Sequence, residues 1–308
     1  MTDPGQAWIA AMREDRFADA WTISDGVLRA RDPATRDDPT KPFHLRWVWD
    51  GRPFDDRHVL VRCYHGLGDT IQFARYLPPL ARRAASVTVE VQPTLLPLLS
   101  RMDVLRWMPF DPAHPLPRSE CDIEIMELAF AMRLPPSEVP PPYLYPLEPA
   151  SPGKLVGLCH IAGGWEKGRC VPSELFASIC HGNDCLSLMP DACALPVLNP
   201  RGCSPEIMET AMLIASTRLV ITVDTMVAHL AGALGHPTWV LLKADPDWRW
   251  SLGRSSSWYP TMRLYRQPRP GDWASVIADV ERDLAAWREV GSTAPDRDPF
   301  IERDEARN

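Results

Sequence analysis

Twice along this chain a short apolar run ends in a turn of small and polar residues, and an amphipathic stretch follows at once. Residues 58–64 lead into Gly66, Gly68 and Asp69, and residues 219–223 lead into Asp224 and Thr225. An apolar run without polar alternation reads as a strand buried on both faces, and strand followed by helix is the unit from which parallel sheets are built. More such units flank each one. In the first half, residues 86–92 and 122–125 read as strands, and helices are expected over 69–77, stopped by Pro78 and Pro79, and over 95–105. In the second half, residues 155–161 and 238–242 read as strands, 186–188 as a weak one, and 175–180 as helical. Ser204, Pro205 and Glu206 are expected to open a helix with a capping hydroxyl and an early proline, and Ile207, Met208, Ala211, Met212, Ile214 and Ala215 supply its apolar stripe. Asp272 caps a last helix whose Trp273, Val276, Ile277, Val280, Leu284 and Trp287 share one face.

Between the two halves the proline-rich stretch 135–149 reads as an extended linker and marks the domain boundary. The expected organisation is a helical segment over 1–50, a first βα domain over 51–148, a second over 149–290, and a polar, disordered tail over 291–308. In the first segment Trp8, Ile9, Met12, Phe17, Ala20, Trp21 and Leu28 recur at helical spacing, broken near Glu14 and again near Ser24 to Gly26. The phrase Phe17 to Trp21, followed by Val27, Leu28, Asp32 and Pro33, resembles one tetratricopeptide unit. A single unit cannot bury its own apolar face, so it must pack on the domain that follows.

With 308 residues, 45% of them apolar, the chain can fill a core in each half. The formal net charge of -7 argues against nucleic acid as a partner, since phosphate neutralisation needs a basic surface. No run approaches the length of a membrane helix, and residues 1–6 lack the regions of a signal peptide, so a cytoplasmic location is expected and peripheral membrane contact is left open. The 8 cysteines are scattered as in a reducing compartment. Of the six between Cys159 and Cys203, only Cys180 and Cys185 have the spacing of metal ligands, and buried small side chains account for them better than a metal site.

The positions able to carry chemistry lie at the two turns. After the 219–223 strand, the first amides of the next helix form an anion site, where the Thr225 hydroxyl could hold a diphosphate and His229, one turn later, faces the same way. The plainer account is that Asp224 caps the helix, His229 is a hydrogen-bonded core residue, and Gly235 with Pro237 ends the helix. Asp224 would compete with phosphate and meets a sugar or ribose hydroxyl more readily. In the first half, Gly66 and Gly68 allow close backbone approach and place Asp69 where a carboxylate can deprotonate an acceptor hydroxyl; the alternative is a charge favoured by the helix start. The third glycine of the dinucleotide fingerprint is missing, so no NAD site is expected.

These segments, 65–77, 223–237 and 246–267, resemble the glycosyltransferase-type domain found beside bacterial tetratricopeptide repeats. That domain is similar to the ADP-heptose heptosyltransferases and, more distantly, to O-linked N-acetylglucosamine transferases. The resemblance covers roughly residues 58–287. It implies an α/β fold of the GT-B type, two Rossmann-like domains facing a central cleft. It also implies a metal-independent, inverting transfer with no cofactor, from a nucleotide-sugar donor of the ADP-heptose or UDP-sugar class to a hydroxyl on a glycan, lipid-linked saccharide or protein.

Carried over, Asp69 is the base, with His65, Gly66, Gly68 and Gln72 on the acceptor side, and Asp224, Thr225, Met226 and His229 meet the donor. Two departures stand out. Met226 replaces a glycine, and the loop carrying Gly163, Gly164, Lys167 and Arg169 differs from that of the relatives. Lys167 or Arg169 could neutralise the leaving diphosphate in place of a metal, or be solvated. Arg249 and Arg254, among Trp248, Trp250, Trp258 and Tyr259, could stack on a base and pair with phosphate, or pack beneath a loop. Asp245 and Asp247 mimic a metal-binding pair but fit a proline turn better. A catalytically inactive binding module and a sugar-nucleotide epimerase are the alternative functions.

Overall fold

A computed structural model describes residues 3–103, 105–147, 153–164 and 166–290. The chain divides into two compact units, Met1–Pro140 and Pro141–Asn308. The tail expected over 291–308 lies outside the described residues.

The first unit begins with helices α1 (Pro4–Arg13) and α2 (Phe17–Ala30). Asp15, at a φ of 58°, makes the break between them, but α2 runs unbroken through Ser24 to Gly26, where the composition predicts a stop. Favourable neighbours on both sides carry the helix across the glycine, whose intrinsic cost is only about 1 kcal/mol. Two ion pairs tie the helices to the rest of the unit: Arg31 to Glu127 at 2.6 Å, and Asp25 to Arg133.

Four parallel strands follow, β1 (His58–Arg62), β2 (Ser86–Val91), β3 (Arg106–Pro109) and β4 (Cys121–Glu124), in the order β3-β2-β1-β4. Crossovers are short helices: α3 (Leu67–Phe73), α4 (Leu77–Ala81), α5 (Leu96–Leu99) and α6 (Leu128–Met132). Two expectations need correction here. Pro78 and Pro79 do not stop a helix but open α4, because proline's missing N–H is harmless in a first turn. The helix expected over 95–105 is a single turn, and the chain then enters β3, an edge strand whose residues are half-buried or exposed. Inside the sheet the Arg62 guanidinium, 1% exposed, pairs with Glu90 at 2.6 Å and Asp122 at 2.8 Å. It also donates to the Leu116 carbonyl at 2.9 Å, so this buried triad fixes the loop before β4.

In the second unit five parallel strands, β5 (Val156–Cys159), β6 (Cys185–Ser187), β7 (Leu219–Val223), β8 (Thr238–Leu242) and β9 (Met262–Arg266), take the order β6-β5-β7-β8-β9. Around them lie α7 (Ser173–Phe176), α8 (Ile207–Ser216), α9 (Met226–Ala233) and α10 (Trp273–Val290). Every residue of β7 and β8 is buried. Trp239, Tyr265, Trp273, Ile277 and Leu284 join them in one core. Helix α8 starts later than its sequence signal. The Ser204 hydroxyl accepts from the Glu206 amide at 3.2 Å in a local turn, and Ile207 is the first helical residue, with no side-chain cap. Met212, counted in the apolar stripe, is 37% exposed. By contrast Asp272 caps α10 through the Ser275 amide at 3.1 Å. Gly235, at a φ of 69°, ends α9, and the bonds from Gly235 to Gly232 and from His236 to Ala231 satisfy its last carbonyls.

Candidate functional site

In a parallel sheet the chain can leave neighbouring strands in opposite directions, and a ligand crevice opens at the carboxyl ends where it does so. In the first unit that point lies between β1 and β4, and in the second between β5 and β7, since in each case the next strand in sequence joins the other edge. The two turns singled out by the sequence are the segments leaving β1 and β7.

At the first switch point the Gly66 amide donates to Asp69 Oδ2 at 2.9 Å, so the carboxylate folds back over its own helix start. A Cβ on Gly66 would lie 3.0 Å from that oxygen, which explains why glycine stands there although its φ of -69° is ordinary. Gln92, at the end of β2, pins the turn from behind: its Nε2 donates to the His65 carbonyl at 2.8 Å and its Oε1 accepts from the Thr70 hydroxyl at 3.1 Å. Gln72 is fully buried beneath, and Gly68 is half-buried within α3.

A second carboxyl, which the sequence does not single out, adjoins the turn. Glu124 ends β4 and is 4% exposed, accepting from the amides of Met126 at 2.7 Å and Tyr64 at 3.3 Å. Burial pushes its carboxyl well above the usual range, the two amides pull it down, and the nearby Glu127 and Asp69 carboxylates add to the rise. It braces the backbone immediately before the turn.

At the second switch point Thr225, not Asp224, is the N-cap of α9: its Oγ1 accepts from the Val227 amide at 3.1 Å. Met226 is the first helical residue and is half-buried. Arg169 Nη1 donates to the Asp224 carbonyl at 2.8 Å and stands 3.7 Å from its carboxylate. Burial raises the Asp224 carboxyl, and Arg169, the Trp250 indole and Arg249 act against the rise. From β5, Cys159 Sγ reaches to 3.9 Å from the Thr225 hydroxyl, a neighbour set by strand register and invisible in the sequence.

His229, expected to face the same way as Thr225, is 5% exposed; its Nδ1 lies 3.1 Å from the Tyr259 hydroxyl and its ring stacks on Trp250 at 5.5 Å. Lys167 is exposed, and Gly163 and Gly164 sit in an exposed loop where an added Cβ would meet nothing. Glu166 in the same loop pairs with Lys243.

The aromatic group is core: Trp250, Trp258 and Tyr259 are at most 1% exposed. Arg249 lies over the Trp248 ring at 4.5 Å and pairs with Asp247 at 2.7 Å, which accounts for that aspartate within a turn. Arg254 pairs with Asp279 and Asp283 of α10. Among the described residues no three His, Cys, Asp or Glu side chains gather as a metal site, and no helix is long and apolar enough to cross a membrane. A cavity of about 260 Å³ lies along the edge strand β9, two strands from the switch point, and its Arg254 and Asp279 stand 3.7 Å apart.

Two parallel-sheet units, each with a polar turn at its switch point, thus define an α/β chain of two Rossmann-like halves. No family model matches the sequence. Protein FlbA of Caulobacter vibrioides (strain ATCC 19089 / CIP 103742 / CB 15) is 23% identical over 327 residues, covering 88% of this chain and 53% of its own length. The chain therefore spans about half the length of that relative. Among solved structures, the glycosyl transferase family 9 protein from Veillonella parvula DSM 2008 superposes with a TM-score of 0.53 at 10% identity, over 80% of this chain and 91% of its own. E. coli ADP-heptose lps heptosyltransferase II gives 0.53 at 15% identity, over 74% and 99%. These likenesses establish the fold, which is GT-B-like.

Proposed function

We propose that this chain is a glycosyltransferase that moves a sugar from a nucleoside-diphosphate donor to a hydroxyl acceptor, without a metal and with inversion. The observation that carries the reading is the placement of Asp69 and of Asp224 with Thr225 at the two switch points of a GT-B-like fold. The second unit holds the donor. Thr225 and the start of α9 meet the diphosphate, Asp224 meets sugar hydroxyls, and Lys167, the exposed cation of the 163–169 loop, neutralises the leaving group. Arg169 is the holder of Asp224. The first unit supplies Asp69, which takes the proton as the acceptor oxygen attacks the anomeric carbon and the bond from that carbon to the diphosphate breaks.

ADP-heptose, which occurs in the name of one structural neighbour, is the first donor to try, and UDP sugars are the second. A thermal-shift series with ADP, UDP, ADP-heptose and UDP sugars tests donor binding, because a ligand that binds only the folded state raises the apparent melting temperature. Stabilisation by one nucleotide class, followed by release of that nucleoside diphosphate when acceptor is present, supports transfer. No stabilisation by any of them overturns the reading. Binding without release would favour the inactive module, to which Met226 at the first helical position points, as would the Val227 amide already bonded to Thr225.

A further inference from the structure

Residues 31–57, between α2 and β1, have no place in the donor or base chemistry; buried Val48, Trp49 and Phe54 anchor the end of the segment, and charged clips hold the rest in an ordered arch. Arg36 donates to the Val48 carbonyl and pairs with Asp50 at 2.7 Å, Arg46 donates to the Lys41 carbonyl at 2.8 Å and pairs with Asp37 at 3.5 Å, and Arg118 Nη2 donates to the Arg36 carbonyl at 2.6 Å. The clips present the tip Phe43–Leu45 at the carboxyl edge of the first sheet. There the Phe43 ring lies 4.9 Å from Tyr64, which ends the β1 run, and 5.0 Å from Phe110, which continues β3 and bonds to the Val91 carbonyl. Tyr64 and Phe110 are themselves 5.2 Å apart.

This is not a sealed core. Tyr64 is buried, but Phe43 and Phe110 are half-buried, His44 is exposed, and Leu45 beside them is 60% exposed. Arg46 covers one side of the Phe43 ring at 4.0 Å. The His44 ring stands 6.3 Å from the His65 ring, and His65 belongs to the same turn as Gly66 and Asp69. Aromatic rings drawn from three separate segments therefore meet imidazoles and a carboxylate-bearing turn at one edge of one unit.

We infer that the arch tip and the Tyr64–Phe110 pair form an acceptor subsite for a pyranose ring, with Phe43 and Phe110 against its C–H face and His44 and His65 toward its hydroxyls. The inference rests on the proposed transfer reaction and narrows its acceptor to a saccharide. A pyranose has one face of axial C–H groups and a rim of hydroxyls, and a site for it combines aromatic surface with a few fixed polar groups.

Saturation-transfer NMR on the full chain without donor, using methyl glucoside, methyl mannoside and methyl galactoside as probes, tests the subsite apart from the transfer reaction. The expected result is saturation of ring protons of at least one probe by the wild type, with His44→Ala and Phe43→Ala each binding about five- to tenfold more weakly. His44 is exposed, so its variant keeps the test valid should Phe43→Ala loosen the arch. No saturation from the wild type, or equal saturation in His44→Ala, overturns the subsite, as does transfer of saturation only to a serine-containing peptide. The nucleotide thermal-shift series is independent of this experiment, so failure of donor binding and failure of the subsite can be told apart.

Discussion

Asp69 makes a structural bond and, in the proposed reaction, acts as the base, and the two can be separated by choice of substitution. Its Oδ2 accepts the Gly66 amide at 2.9 Å, a local bond at a helix start, and in the proposed reaction the same carboxylate takes the acceptor's proton. Asparagine keeps an oxygen that can accept the Gly66 amide but has no useful basicity. Alanine removes both functions. Loss of the bond alone should cost about 0.5–2 kcal/mol, the range measured for removal of a helix-capping side chain. Loss of a general base lowers turnover by roughly 10²–10⁴-fold. Asp69→Asn should therefore unfold in urea within about 0.5 kcal/mol of the wild type, the usual range away from disrupted contacts, while losing turnover by that factor. Asp69→Ala should lose the same activity and in addition about 1 kcal/mol of stability. Nucleoside-diphosphate release under saturating donor, paired with urea titration of each variant, reads both effects. An Asp69→Asn protein that retains wild-type turnover would refute the assignment of the base, whatever the alanine variant does.

Gly66→Ala adds a Cβ 3.0 Å from Asp69 Oδ2 at an ordinary φ, so it should leave the urea midpoint nearly unchanged and slow turnover roughly tenfold or more by displacing the carboxylate; wild-type turnover would show that its position is not restrictive. Gly232→Ala places a Cβ 2.4 Å from Tyr259 Cδ1 and 2.6 Å from Met262 Cε, contacts that the packed core can relieve only by moving, and about 1–3 kcal/mol should be lost in thermal unfolding; an unchanged melting temperature would contradict that packing. Arg62→Met strands Glu90 and Asp122 without their cation and should destabilise the protein by about 3–5 kcal/mol, measured by urea, whereas a loss under about 1 kcal/mol would mean the triad is not a buried charge pair in solution. His236, whose Nε2 lies 2.9 Å from the Thr217 hydroxyl, is held down to about 4 by burial. Between that value and the unfolded value of about 6.5 only the unfolded chain takes up the proton, so stability falls as pH drops through this window, by about 3 kcal/mol in all. His236→Asn should flatten that part of the urea-derived pH profile, and parallel profiles would rule the histidine out as its source.

The sequence was most informative where a segment's environment is uniform. β7 and β8 are apolar on both faces, and their limits match the residues read from the chain alone. β3 has no sequence signal, because an edge strand carrying Arg106 and Pro109 shows neither an apolar run nor a clean alternation. β9 was hidden by Arg263 and Arg266, which are drawn toward Asp283 and the 251–252 carbonyls rather than toward solvent. The same division holds at the site. Asp69 and Thr225 stand in local turn patterns and could be named. Glu124, Cys159 and Phe43 reach their positions through strand register or a long irregular arch, and nothing within a few residues of them signals it.

The burial of Asp224 answers an objection that the bare sequence raises against a diphosphate beside Thr225. A solvated carboxylate at the start of α9 would repel the donor and oppose the helix dipole's attraction for it. Here the carboxyl is 8% exposed, its proton affinity is raised by desolvation, and what negative charge it keeps faces Arg169 at 3.7 Å. Arg169 also bonds the Asp224 carbonyl, so the cation that offsets the charge is the one that orients the turn. Removing Arg169 should accordingly weaken donor binding twice over, by releasing the turn and by leaving an unscreened carboxylate next to the anion. Arg169→Gln combined with Asp224→Asn should then recover part of the loss that Arg169→Gln alone produces in the nucleotide thermal shift. If the double variant bound no better than the single one, the carboxylate would not be the source of the repulsion, and the orientation of the turn would have to account for the whole effect.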